Sequence, residues 1–262
     1  MAFKYKGLIA LLFSITLFSF SRVVKPKLIG HRGGIIDSTN AENSLQALKD
    51  AYKKGYYMVE IDVRLSSDRQ LVTNHDNHFS KYFNNPAKVA DLSWDNMRVL
   101  RNNKDDGHPL LFEEVLQYCK GKMQIMIDNK IMGNDTASFH HIKTLLNKYG
   151  LLSKAMFIGT EETRAYFYGA AACGYSRADL EKQMNKPRFD PSKVFLFDHG
   201  NVLVEDDIRW ADQHKITVVP SINKFHYTAE PFMDGARRDI GNLRKWGVEY
   251  FQIDSEYDIF LH

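Results

Sequence analysis

Three short stretches carry residues whose types and spacing suit chemistry on a phosphate ester. They are Ile29-Gly30-His31-Arg32-Gly33-Gly34, Met58-Val59-Glu60-Ile61-Asp62-Val63 and Leu71-Val72-Thr73-Asn74-His75-Asp76. Each reads as a strand or its end. Alternation along a strand puts Glu60 and Asp62 on one face, with Val59, Ile61 and Val63 on the other. If the acidic face points into a barrel or cleft, two like charges lie close together with little water, which is costly unless a cation sits between them. The apolar strand Met123–Ile127 ends in Asp128-Asn129-Lys130 and offers a third carboxylate. Three hard oxygen donors, with no histidine or cysteine on the same strand faces, select Ca²⁺ or Mg²⁺ over zinc. Lys130 points to the same side as Asp128, and Arg32 adds a second permanent cation. A metal with Arg and Lys makes an anion site for which phosphate is the natural guest. His31 and His75 would then serve acid–base cleavage of a phosphodiester, one taking a proton from the nucleophile and one protonating the leaving oxygen.

Those residues need a scaffold, and the rest of the 262-residue chain supplies its outline. Lys4 and Lys6 precede an uncharged, mostly apolar run, Leu8 to Phe20, whose end offers small residues at Ser19 and Ser21. Residues 1–21 therefore read as a signal peptide, too short for a membrane span, and the protein is expected to be exported, periplasmic or secreted. The formal net charge is +3; without Lys4 and Lys6 it is +1, so composition makes no case for nucleic acid or an acidic membrane as partner. No stable membrane insertion is expected once the leader is removed. Cys119 and Cys173 lie among apolar neighbours, as buried thiols do.

From Lys27 onward, strand and helix signals alternate. Strands are expected at 27–30, 58–64, 123–127, 155–159, 171–176 (the weakest), 193–198, 217–222 and 250–254, with helices between them. Asn43 and Gln46 resemble a capping pair for the first helix. An Asn- and Asp-rich excursion, 77–122, separates the second and third strands. About eight strand–helix units fit a (β/α)8 barrel of ~250 residues. An open doubly wound sheet is the alternative. The barrel is preferred because polar residues cluster just after several different strands, so a TIM barrel with a small insertion between strands 2 and 3 is expected over 27–262.

His31-Arg32-Gly33, Glu42-Asn43-Ser44, Glu60-x-Asp62 and His75-Asp76, with Pro109 to Leu116 beyond them, resemble the signature of the glycerophosphodiester phosphodiesterase family. The resemblance implies a (β/α)8 barrel that hydrolyses glycerophosphodiesters to an alcohol and glycerol phosphate with one Ca²⁺ or Mg²⁺. It makes His31 and His75 the acid–base pair, Glu60 and Asp62 metal ligands, and Arg32 and Lys130 phosphate contacts. Asp128 stands where glutamate is usual, although related phospholipases D use aspartate there. Ala41 replaces a proline, Pro220–Asn223 lacks the usual aromatic residue of the pocket, and Ser255 follows Asp254 in place of proline. These departures bear on substrate more than on reaction. A lysophospholipid-cleaving, phospholipase D-like enzyme is the alternative, favoured if Tyr82 and Trp94 form an apolar mouth; satellite packing of Phe79, Tyr82, Phe83 and Trp94 is the other reading of these aromatics. A barrel that binds phosphoryl ligands without turnover is a third reading. Glu42 either orders Arg32 through an ion pair or is a plain loop acid. His78 is read as a loop histidine, with the pocket entrance as the alternative; His199, just after a strong strand, is a weaker pocket candidate, and His140 and His141 fall on an exposed helix face.

Overall fold

The computed structural model describes residues 25–198, 203–228 and 231–261; the expected leader and His199 lie outside the described residues. Strands β1 (Lys27–Gly30) and β2 (Met58–Leu65) are followed by β3 (Leu71–Thr73), β4 (His78–Phe79) and β5 (Asn85–Lys88). Six more complete the set: β6 (Gln124–Asn129), β7 (Met156–Gly159), β8 (Ala172–Tyr175), β9 (Val194–Asp198), β10 (Thr217–Ile222) and β11 (Tyr250–Ile253). β1 pairs in parallel with both β2 and β11, so β1, β2 and β6 through β11 close into an eight-stranded parallel barrel. The weakly signalled strand β8 is a full member, paired on both sides.

Helices α1 (Leu45–Lys53), α2 (Ser80–Phe83), α3 (Trp94–Met97), α4 (Phe112–Cys119) and α5 (Thr136–Lys148) are followed by α6 (Glu161–Phe167), α7 (Arg177–Met184), α8 (Glu205–Gln213) and α9 (Phe232–Lys245). The capping pair expected at Asn43 and Gln46 does not form. Ser44 caps α1, its Oγ accepting from the Ala47 amide at 3.1 Å, and Asn43 turns inward to Asp62. Side-chain caps at Asp135, Thr160 and Ser176 start α5, α6 and α7.

Strand alternation sorts the barrel into two environments. Outward residues such as Val59, Ile61, Ile125, Ile127 and Phe157 pack under the helices. Inward residues Ile29, Met58, Met126, Met156, Phe195 and Val219 fill the lower barrel. Glu60 and Asp62 follow Met58 on the inward face of β2, and Asp128 follows Met126 on β6. The acids thus stand directly above an apolar floor at the C-terminal mouth.

The excursion between β2 and β6 builds its own satellite core from Val72, Phe79, Val89 and Met97, with Phe83 and Trp94 packed on it. Three of the four aromatics weighed at the mouth are therefore structural, Trp94 from within the single short turn α3. After β11 the chain forms only a 3₁₀ segment, Ser255–Phe260, in place of a full helix. Ser255 Oγ donates to the Ile36 carbonyl at 2.8 Å and accepts its amide at 3.1 Å, tying the loop after β1 to the end of the chain. Cys119 and Cys173 are buried and unpaired.

Gly174, on β8, faces the apolar floor, where a Cβ would lie 2.8 Å from two ring carbons of Phe195 and 3.0 Å from Ile158. Gly174→Ala is expected to lower stability by about 1–3 kcal/mol through overpacking. Urea unfolding with an unchanged m-value checks this; an unchanged midpoint would show that the Phe195 ring has room to move.

Candidate active site

The acidic cluster comes from sheet register. Asp62 of β2 pairs with Asp128 of β6, and Glu60 lies one inward position below Asp62. Carboxylate oxygens of Glu60, Asp62 and Asp128 lie within 4.8 Å of one another, and Glu60 and Asp62 are each 1% exposed. Lys130 Nζ reaches across them, 2.5 Å from Asp128 Oδ2 and 3.3 Å from Asp62 Oδ1. Burial opposes its charge, but Asp128 and Asp62 outweigh this and raise its pKa. Asn43 braces Asp62, with Nδ2 donating to Oδ2 at 3.1 Å and Oδ1 accepting the Asp62 amide at 3.3 Å.

Glu60 is the member least provided for. Its Oε2 accepts the Arg32 amide at 2.8 Å, but its Oε1 is buried with no hydrogen-bond partner. Burial first, then the charges of Asp62 and Asp128, push its pKa well above the usual carboxylate range. With all three acids ionised, one ammonium leaves two negative charges uncompensated. An oxygen-only donor set, an unpartnered buried oxygen and a residual charge of minus two fit a divalent hard cation.

The turn after β1 positions the opposite wall. Arg32 sits at φ 50, ψ 45, so its amide faces Glu60 while its carbonyl accepts the Asn43 amide at 2.7 Å. Gly33 and Gly34 follow at φ 94 and φ 124; a Cβ on Gly33 would lie 2.8 Å from Asn43 Cα and one on Gly34 2.7 Å from the Ala47 carbonyl oxygen. The two glycines thus let the turn press against the start of α1.

The Arg32 guanidinium donates to Glu42 Oε1 at 2.9 Å through Nη1 and to His75 Nε2 at 2.9 Å through Nη2. Because a guanidinium only donates, His75 Nε2 must accept, which leaves its Nδ1–H to bond Asp76 Oδ1 at 2.8 Å. Burial pushes Asp76 up, but His75, Lys81 and Arg32 bring it below the ordinary range. His31 is held in the same way, its Nδ1 2.6 Å from Asp254 Oδ1, while Asp254 Oδ2 accepts the Lys224 amide at 2.7 Å. Asp254 stays below the usual range because His31 and the Lys224 amide outweigh its burial. Each imidazole is therefore anchored through Nδ1, with Nε2 as its working nitrogen.

A cleft of about 720 Å³ opens over His31, Arg32 and Asp254, walled by Ile36, Tyr82 and Phe225. Lys81, Lys104 and Lys224 stand around it, Lys81 paired with Glu42 and Lys224 with Glu256.

The fold thus gathers His31, His75, Glu60, Asp62, Asp128, Arg32, Lys130 and Glu42 at one mouth. Glu42 pairs with Arg32, the first of its two readings. Lys130 lies among the carboxylates, paired with Asp128 and Asp62. His140 and His141 are exposed on α5, and His78 borders a small recess beside His75. Tyr82 lines the mouth as one of its readings had it, and Asp254, Asp76, Asn43 and Phe225 belong to the site although their types and spacing did not place them there. Asp254 had a legible signal in its position at the end of the last strand, and Asp76 in following His75.

The sequence profile of the "Glycerophosphoryl diester phosphodiesterase family" matches residues 31–154, just under half of the chain. Glycerophosphodiester phosphodiesterase 1 of Mus musculus is 32% identical over 122 residues, 42% of this chain and 36% of that protein. The Homo sapiens protein Lysophospholipase D GDPD1 is 30% identical over 105 residues, covering 40% and 30% of the two chains. The match thus spans about a third of the length of these relatives. A glycerophosphoryl diester phosphodiesterase from Parabacteroides distasonis superposes with a TM-score of 0.73 at 16% identity, over 92% of this chain and 88% of that one. The Oleispira antarctica phosphodiesterase solved with its product sn-glycerol-3-phosphate gives 0.72 at 16% identity, over 90% and 97%. The solved structures share the barrel, and the sequence matches share its motif-bearing half, residues 31–154.

Proposed function

We propose that this protein hydrolyses glycerophosphodiesters to an alcohol and glycerol phosphate, with a divalent cation, Ca²⁺ or Mg²⁺, held by Glu60, Asp62 and Asp128. The observation that carries the proposal is the pair of imidazoles anchored to Asp254 and Asp76, on either side of a guanidinium above three clustered acids. A bound cation would act as a Lewis acid on a phosphoryl oxygen. Arg32 exchanges its bond to His75 for a phosphate oxygen, which orients the diester and frees His75 Nε2. One imidazole takes the proton of the attacking hydroxyl as its oxygen bonds to phosphorus. The other gives a proton to the departing oxygen as its bond to phosphorus breaks, and water then opens the cyclic phosphate left by attack of the substrate's own hydroxyl, with the proton roles reversed. Asp254 and Asp76 hold the ring orientation and stabilise each imidazolium as it forms. Lys130 holds Asp128 and Asp62 in place and limits their mutual repulsion.

The cleft supports a deacylated diester over a lysophospholipid, because Phe79, Phe83 and Trp94 pack into the satellite core and lysines stand around the entrance. A binding barrel without turnover would have no use for two imidazoles braced in this way. Export is proposed from the apolar run Leu8–Phe20 behind Lys4 and Lys6.

His31→Ala and His75→Ala are each expected to lower turnover by about 10²–10⁴-fold with little change in melting temperature. Wild-type rates in either variant would remove that histidine from the mechanism. EDTA should abolish hydrolysis and Ca²⁺ or Mg²⁺ should restore it; full activity in chelator would refute the cation. Glu60 also sets a pH signature. Its folded pKa lies above its unfolded value, so in chelator the protein loses stability as pH rises from the ordinary carboxylate range through that raised value. Glu60→Gln removes this loss, and in EDTA at pH 8 it should melt above wild type, with the order reversed in saturating divalent cation. Identical melting curves for the two proteins in EDTA would contradict the assignment.

A further inference from the structure

The end of the barrel opposite the active site has a charge distribution that the catalytic reading does not use. Three recesses lie there, Tyr57 lining the first and second and Tyr250 the second and third; the third also runs along α8 to its start at Glu205. The first, about 510 Å³, is lined by Lys25, Lys27 and Lys122; the second, about 190 Å³, by Lys154 and Lys193. The third, about 660 Å³, carries Lys215, Lys245 and Arg209. Against these eight cations the linings hold three acids, Glu205, Asp212 and Glu249, and Glu249 is already paired with Lys27 at 3.5 Å. The small net charge of the whole chain conceals this separation.

Part of the asymmetry follows from the fold. In a parallel barrel all outer helices run the same way, so acids that complement helix N-termini gather at the catalytic end and bases gather at the other. The first turn of α6 holds Glu161 and Glu162, and the last turn of α9 holds Arg244 and Lys245. The dipoles do not account for the rest. Lys25, Lys154, Lys193 and Lys215 lie outside the α-helices, in the segments that lead into strands; none forms an ion pair among the described residues, and only Lys193 has a carboxylate, Asp190, acting on it at longer range. Aromatic rings are interleaved with them: Tyr52 is 44% exposed, and Tyr57, Trp246 and Tyr250 are half-buried. Rings with one apolar edge and one polar edge, set among unpaired lysines, are the composition of a membrane–water interface. The chain also enters the barrel on this face, through Lys25 to Lys27, with the apolar run Leu8–Phe20 just upstream in the sequence.

We propose that the N-terminal face of the barrel docks on an anionic phospholipid bilayer through Lys25, Lys122, Lys154, Lys193 and Lys215, with Tyr52 and Trp246 at the headgroup level. Docked this way, the protein turns its cleft toward water, where deacylated diesters are found, and away from the lipids beneath it. Among the described residues no helix is long and apolar enough to cross a membrane, so the contact is peripheral.

The test is co-flotation of the full chain with vesicles of phosphatidylcholine alone and with added phosphatidylglycerol. Binding should favour the anionic vesicles and weaken steeply with salt. The triple variant Lys25→Glu, Lys154→Glu, Lys215→Glu should lose at least about 100-fold in partition to the anionic vesicles. It should keep wild-type hydrolysis of a soluble glycerophosphodiester, which reports that it is folded. Equal partition into neutral and anionic vesicles, binding indifferent to salt, or unchanged binding by the triple variant would overturn the proposal. So would tighter binding to a short DNA duplex than to the anionic vesicles, since that would identify the face as a nucleic-acid surface. A chain that docks but does not hydrolyse diesters would overturn the enzymatic reading and leave this one standing.

Discussion

Three carboxylates side by side in the interior of a barrel are the constraint around which this molecule is arranged. Ionised and dry, such groups repel one another and lose their hydration, so something must compensate. Lys130 answers for part of the charge, Asn43 for both a donor and an acceptor at Asp62, and the backbone amide of Arg32 for one oxygen of Glu60. The strained turn at Arg32 exists because that amide must face inward, and Gly33 and Gly34 follow because nothing larger fits against Asn43 and Ala47. What stays uncompensated is one buried oxygen and a surplus of negative charge, which is the opening a divalent cation would fill.

Barrel closure is the second requirement. His31 and Asp254 are separated by 223 positions in the chain, yet lie 2.6 Å apart because β1 pairs with β11. The Lys224 amide on Asp254 and the Ser255 clip on Ile36 reinforce the same junction. His75 needs no such long reach, since Asp76 is its neighbour and Arg32 comes from the adjacent strand end. One imidazole therefore depends on the first and last strands meeting, and the other on a local loop. Loosening the closure would affect the two histidines unequally.

The direction shared by all outer helices has consequences at both ends. Acids at the helix starts surround the catalytic mouth, and bases at the helix ends and in the following loops collect at the floor. A fold chosen for its site thereby acquires two electrostatically different faces, one for the substrate and one available for a surface.

Much of this was legible in the residues alone. Alternation on β2 put Glu60 and Asp62 on one face, Lys130 followed Asp128 at strand spacing, and repeated strand–helix signals with polar residues just after several strands indicated a closed barrel. These are local properties, set by a period of two or 3.6 residues. Partnership was not legible, because it depends on which strand ends share the mouth. Asn43 looked like a helix cap until β2 was beside it, the pairing of Lys130 with two acids needed β2 and β6 side by side, and the choice between mouth and satellite core for Phe79 and Trp94 needed that core to be built. Asp254 showed the limit most plainly: its place at the end of a strand could be read in the chain, but its bond to His31 existed only once the sheet had closed on itself.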